Sequence, residues 1–224
     1  MKILSWRLCA LMLALLLPAS TRAQDETSAR TLDPLSRLDP AYRYAVEVLL
    51  DSARLAGLPT NPIESKALEG IAKNRNGRQI VIATRDVYRS LVRSRAALGP
   101  SATAAELTAG ANALRVGITS VELAHMASTR GAGKELTMPL VVLSDLVTRG
   151  VARDTASQTI FQLWQKGAAD EDFLGLWRGV ERDIVSGTDP GVALMNRARE
   201  VPTRGPAPTT PPGARSENPE TQNQ

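Results

Sequence analysis

Three pairs, Asp39-Pro40, Asn61-Pro62 and Asp189-Pro190, constrain what this chain can fold into more than any other feature. In each, an oxygen-bearing side chain can accept the orphan N–H groups of a helix's first turn. The Pro then takes the first helical position, where a missing N–H costs nothing. Asn61 has Glu64 three residues on and Thr103 has Glu106, the reciprocal arrangement in which the Glu reaches back to the cap residue's own N–H. Helix ends are marked as well: Gly57, Gly99 before Pro100, Gly131, Gly150, Gly167 and Gly187 each follow a segment whose apolar residues recur at helical spacing. This punctuation predicts helices over 40–56, 62–73, 78–98, 104–130, 139–149, 154–166, 171–186 and 190–199. No segment alternates with period two between turns. The expected fold is therefore all-α, a compact bundle of about eight antiparallel helices joined by short connections.

The longest predicted helix, 104–130, carries Leu107, Ala111, Leu114, Ile118, Val121 and His125 in steps of four and three, a seam suited to packing along a partner helix. Helix 78–98 offers Ile80, Thr84, Val87, Leu91 and Leu98 in similar register. Around Gly150 the chain reads as a helical hairpin, with Leu140, Leu143, Leu146 and Val147 on its first arm, Asp154 capping the second, and Ile160, Leu163 and Trp164 on that arm's inner side. Gly70-Ile-Ala-Lys-Asn74 resembles Gly150-Val-Ala-Arg-Asp154 eighty residues on, and Ile80 matches Ile160 at the same offset. Two diverged hairpin units would explain this, as would the Gly and aliphatic punctuation that any two capped hairpins share.

At the N-terminus, Lys2 and Arg7 precede a wholly apolar run from Leu8 to Leu17, followed by Pro18 and Thr21-Arg-Ala23. Residues 1–23 read as a secretory signal peptide, cleaved near Ala23-Gln24, and the expected location is periplasmic or secreted. Cys9 lies at the start of the apolar run and not at its far end, where a lipid-modified Cys would stand. No later segment has the length and apolarity of a membrane span, so no transmembrane anchor is expected in the processed chain. Residues 24–38 look loosely ordered, 39–200 form the helical domain, and 201–224, with six Pro from Pro202 onward and almost no aliphatic residues, read as a disordered tail.

Cleavage changes what composition implies. It removes Lys2, Arg7 and Arg22 and no acid, so 27 basic residues fall to 24 against 23 acidic. The residual charge of +1 gives no general case for nucleic acid as a partner. The single Cys leaves too, and with it any disulfide, thiol nucleophile or thiolate metal site. One His allows no paired-His metal motif, and no cofactor or metal is expected. His125 continues an apolar seam near a helix end and reads as structural. Arg130-Gly-Ala-Gly-Lys134 lacks the Gly and the Ser or Thr of a phosphate loop, since Ser128 and Glu135 stand at those positions. Trp164 and Trp177 fall on apolar helix faces and read as core residues.

One feature exceeds this bland picture. Arg78, Arg85, Arg89 and Arg93 recur at seven and four, with Lys73 and Arg75 just before and only Asp86 opposing them. A stripe of guanidinium groups can form paired hydrogen bonds to phosphate or carboxylate, which outside the cytoplasm means an acidic envelope component or protein partner. The alternative is a solvated face. No catalytic residue is assigned, and no oligomeric state follows from the residues.

Glu64-Ser65, on a helix of an exported chain, resembles the Glu-Ser pair of bacterial lytic transglycosylases. The resemblance covers two residues, without a Gly-Leu-Met-Gln-like segment or a later Tyr-containing signature. It implies the rival function, a cell-wall hydrolase with Glu64 or Glu69 as its acid. The leading expectation is an exported, non-enzymatic helical protein that binds another envelope component through helix surfaces, the Arg-rich helix among them.

Overall fold

The computed structural model describes residues 34–131 and 133–202. The expected signal peptide over 1–23, residues 24–33 and the expected disordered tail beyond Pro202 lie outside them. A 3-10 turn, Pro34–Arg37, leads into nine helices among the described residues: α1 Pro40–Leu55, α2 Asn61–Ala72, α3 Gly77–Leu98, α4 Ala104–Arg115, α5 Ser120–Ser128, α6 Thr137–Thr148, α7 Arg153–Gln165, α8 Asp170–Val185 and α9 Pro190–Glu200. No strand occurs among the described residues, and no helix there is long and apolar enough to cross a membrane. Leu35 and Leu38 are buried, so packing begins a few residues ahead of Asp39.

Several caps form as the sequence predicts. Asp39 accepts from the Ala41 N–H, Asp189 from the Val192 N–H, and Thr103 with Glu106 completes a reciprocal box. Others differ. Thr60, not Asn61, precedes α2, and the Asn61 amide oxygen instead accepts the Ser65 hydroxyl, which leaves Glu64 without the capping role expected of it. Ala152 precedes α7, placing Asp154 within its first turn.

The predicted helix 104–130 is two helices. Gly117 adopts φ +101°, a conformation that costs Gly little, and Thr119 then caps α5 by accepting the Glu122 N–H while the Glu122 carboxylate takes Thr119's own. Beyond this break the register changes. Leu107, Ala111, Leu114 and Ile118 are buried, but Val121 is 78% exposed, His125 is exposed, and Leu123 and Met126 face the core instead.

The break belongs to a recurring turn. After α2, α4, α6 and α8 the chain takes positive φ at Asn74, Gly117, Gly150 and Gly187. The next amide reaches back to a carbonyl of the preceding helix, Arg75 to Gly70, Ile118 to Ala113, Val151 to Leu146 and Thr188 to Asp183, at 2.9–3.0 Å. One residue later comes the position just before the next helix, where Asn76, Thr119 and Asp189 supply a side-chain cap and Ala152 does not. This corrects the eighty-residue register. Gly70 lies inside α2, packed on Ile80, and the residue that occupies Gly150's position is Asn74.

α3 sits centrally, against α1, α2, α4 and α5; α4, α6 and α8 form a second run of neighbours, and α7 and α9 pack beside it. The largest fully buried side chains include Phe173, Ile63, Ile80, Leu91, Leu107, Leu140, Leu143 and Leu194, contributed by six of the helices.

A candidate anion-binding face on the central helix

α3 is fixed before any ligand is considered. Asn76 accepts the Gln79 N–H at 2.8 Å, and Gly99, at φ +87° ahead of Pro100, ends the helix. Ile80, Thr84, Val87, Leu91 and Leu98 are all buried, with the Thr84 hydroxyl satisfied by the Ile80 and Val81 carbonyls. Their burial determines which way the remaining side chains point.

Successive helical residues turn by about 100°, so Arg78, Arg85 and Arg89 fall within about 40° of one another, opposite Val87, and Arg93 stands about 40° further round. All four are exposed, and so is Arg75 in the turn before the helix. Lys73 leaves the group, since its ammonium bonds Glu69 at 2.6 Å. Arg95 turns inward and donates to the carbonyls of Pro100 and Gly57 at 2.9 and 3.0 Å, tying α3 to the turn after α1.

The outward guanidinium groups are sparsely paired. Arg89 lies 3.8 Å from Asp86, and Arg93 reaches the Ser90 hydroxyl at 3.4 Å. Arg78 and Arg85 have no acidic partner among the described residues. Two other arginines are fully engaged: Arg149 bonds Asp145 and Glu181, and Arg197 grips both carboxylate oxygens of Asp183 at 2.8 and 2.7 Å. Arg89 and Arg93 also border an open cavity of about 960 Å³, shared with Asp86, Tyr88 and Arg115. Arg115 joins them from the end of α4, so no pattern within one helix could have placed it there. The chemistry on offer is recognition of phosphate or carboxylate by several forked donors.

Two other places hold polar side chains in a cleft. Between α5 and α7, Glu122, His125 and Ser157 line a cavity of about 290 Å³. The Ser157 hydroxyl donates to Glu122 at 2.7 Å and His125 packs on Phe161 with ring centres 4.5 Å apart. Burial pushes the Glu122 carboxyl up, but the Thr119 N–H, the Thr119 and Ser157 hydroxyls and Arg153 outweigh it and hold the group below its ordinary range. Such a carboxylate is a poor base, and its hydrogen bonds join two helices.

The second place is α2. Lys66 and Lys73 bond the Glu69 carboxyl at 2.7 and 2.6 Å and hold it down at about 2. A general acid for glycoside cleavage needs the opposite shift. Trp177, expected in the core, is half-buried and donates its indole N–H to Asp145, while Trp164 is buried beneath Lys134 with the ammonium 5.4 Å from the ring centre. Among the described residues no three of His, Cys, Asp and Glu converge as metal ligands would.

Set against protein-family models, curated proteins and solved structures, the chain matches none of them.

Proposed function

We propose that this chain is an exported, non-enzymatic protein of the bacterial cell envelope, periplasmic or secreted, which binds an acidic envelope component through the outer face of α3. In this reading α2–α3, α6–α7 and α8–α9 are antiparallel hairpins of packed neighbours. The array acts as a rigid mount for one basic helix.

One observation carries the reading: four exposed Arg side chains, Arg78, Arg85, Arg89 and Arg93, share the outer side of α3 with Asp86 as the acid among them. Concentrating like charge on one helix face destabilises an isolated helix, since like charges four apart repel by a few tenths of a kcal/mol. A bound polyanion removes that repulsion. The hydrolase alternative finds less support, because Lys66 and Lys73 hold Glu69 ionised, the opposite of what a general acid needs.

Isolated sacculi and envelope membranes, incubated with protein starting at Gln24, test both readings together. The binding reading expects pelleted protein that is released as salt rises past the point where the screening length falls below about 8 Å, with no soluble glycan fragments. Fragment release abolished by Glu64→Gln would replace it with the hydrolase.

A further inference from the structure

Arg115 stands exposed in the last turn of α4, and among the described residues it pairs with no carboxylate. The clefts on its other sides hold Glu69 and Asp145. Both acids are already engaged: Lys66 and Lys73 bond Glu69, while Arg149 and the Trp177 indole bond Asp145. Arg115 also borders the cavity of about 960 Å³ where Arg89 and Arg93 stand, and there no partner is taken from it.

That cavity lies between two helices that pack directly on one another, with the Ser94 hydroxyl of α3 seated over Gly110 of α4. Ser90, 1% exposed, accepts from Arg93 at 3.4 Å and ties that guanidinium to the cavity wall. Three guanidinium groups face one carboxylate, Asp86, whose distance from Arg89 is 3.8 Å, too long for a hydrogen bond. The cavity therefore carries a net charge of +2. Val92, Leu114 and the half-buried Tyr88 give it an apolar and aromatic wall beside the cations.

We infer that this cavity binds a phosphate monoester on a sugar-sized body, free or as the headgroup of an envelope glycolipid, with Arg89, Arg93 and Arg115 on the phosphate oxygens. The inference rests on the anion-binding reading of α3 and narrows it to one ligand class and one place on the helix. A phosphate monoester near neutral pH carries close to two negative charges and three terminal oxygens, so it neutralises the cavity and offers an acceptor to each fork. A carboxylate or a phosphodiester carries one charge and leaves the cavity unbalanced. The volume exceeds what a phosphate fills and falls in the range of small-molecule sites, which leaves room for a sugar against Tyr88 and Leu114.

Arg78 stays outside this site. It precedes Arg89 by eleven residues, about 16 Å along the helix axis, beyond the screening length of about 8 Å at physiological salt. A polyanion laid along the row would use Arg78 as much as Arg93, and would not need Arg115, which belongs to another helix.

Isothermal titration of protein starting at Gln24 tests this. Residues from Leu35 onward form one compact unit, so the cavity is intact without the expected signal peptide. Glucose 6-phosphate should bind, and glucose 6-sulfate, of similar shape but with a single charge, should bind about tenfold more weakly. Arg115→Gln should weaken glucose 6-phosphate about tenfold or more, and Arg115→Lys, which keeps the charge without the fork, should lose less. Arg78→Glu should change the affinity by less than about twofold. Both positions are exposed, so unchanged circular dichroism and melting separate lost binding from lost fold. Flotation with phosphatidylcholine vesicles containing lipid A, a phosphomonoester glycolipid, separates the two sources. Flotation beside glucose 6-phosphate binding assigns the headgroup, and binding without flotation assigns the free sugar phosphate.

Equal affinity for the sulfate, or a loss on Arg78→Glu as large as that on Arg115→Gln, would overturn the phosphomonoester site and leave α3 a less selective anionic surface. Failure of the wild type to bind glucose 6-phosphate would overturn it as well. Pelleting with envelope material then tells the two readings apart: pelleting lost when Arg85, Arg89 and Arg93 are reversed to Glu keeps the anion-binding reading, and pelleting that survives removes both.

Discussion

Arg130 brings a guanidinium nitrogen within 3.0 Å of Glu106, a carboxylate with no solvent-exposed surface. The same carboxylate accepts the Thr103 N–H at 2.9 Å and the Leu136 N–H at 2.8 Å, so one side chain joins the start of α4, the turn after α5 and the start of α6. The Arg130 contact is an ion pair without good hydrogen-bond alignment, and the two backbone donors carry much of the compensation for burying the charge. Glu106→Ala should lower the free energy of unfolding by about 3 kcal/mol, because it strands a cation and two amides. Glu106→Gln keeps an acceptor in place and should lose less. Urea unfolding of both variants checks this, and equal losses would contradict it.

Two glycines inside helices should respond in opposite directions to the same substitution. A methyl group on Gly70 would stand 2.6 Å from Cγ1 of Ile80, a β-branched side chain with little freedom to turn aside. Gly70→Ala should therefore destabilise by about 1–3 kcal/mol, despite the better helix propensity of Ala. Gly175, in α8, has nothing within 4 Å of that position. Gly175→Ala should stabilise by about 0.5–1 kcal/mol. Thermal melts of the two variants moving in the same direction would contradict the packing described for α2 on α3.

Acid should weaken the fold partly through Glu69. Its carboxyl falls from 4.5 to about 2 in the folded chain because Lys66 and Lys73 hydrogen-bond it. A depressed acid stabilises the fold fully above its unfolded value and loses that contribution as pH drops through the folded one. The contribution should be complete above about 4.5 and vanish towards 2. Lys66→Met with Lys73→Met should flatten the pH dependence of the melting temperature over that window. A slope unchanged by the double substitution would place the acid sensitivity elsewhere, with Asp183 the next group to test because Arg197 holds it low.

Much of the architecture was legible in the sequence because helix ends are local. Asp39, Thr103 and Asp189 cap the helices they announce, since a cap needs only its own side chain and the next three amides. The break at Gly117 was announced just as clearly, by Thr119 with Glu122, yet an apolar heptad ran through it and outweighed the punctuation. Periodicity cannot tell a straight helix from two helices whose registers happen to join. The eighty-residue register was off for the related reason that residue identity was matched where conformation should have been: Asn74, not Gly70, takes the positive φ.

The candidate site was legible in part. Arg78, Arg85, Arg89 and Arg93 are exposed as the helical wheel requires, and Lys73 drops out only because Glu69 lies one turn before it in the folded helix. Arg115 needed the structure, because it reaches the cavity beside Arg89 and Arg93 from the end of α4, and no pattern within one helix records that.

The most direct test of the anion-binding face is the triple variant Arg85→Glu, Arg89→Glu, Arg93→Glu in the pelleting measurement with isolated envelope material. All three side chains are solvent-facing, so the variant should melt close to the wild-type temperature. It should also stay in the supernatant at a salt concentration that pellets the wild type. A folded triple variant that pellets as the wild type does would show that α3 is a solvated face and that the chain's partner is held elsewhere.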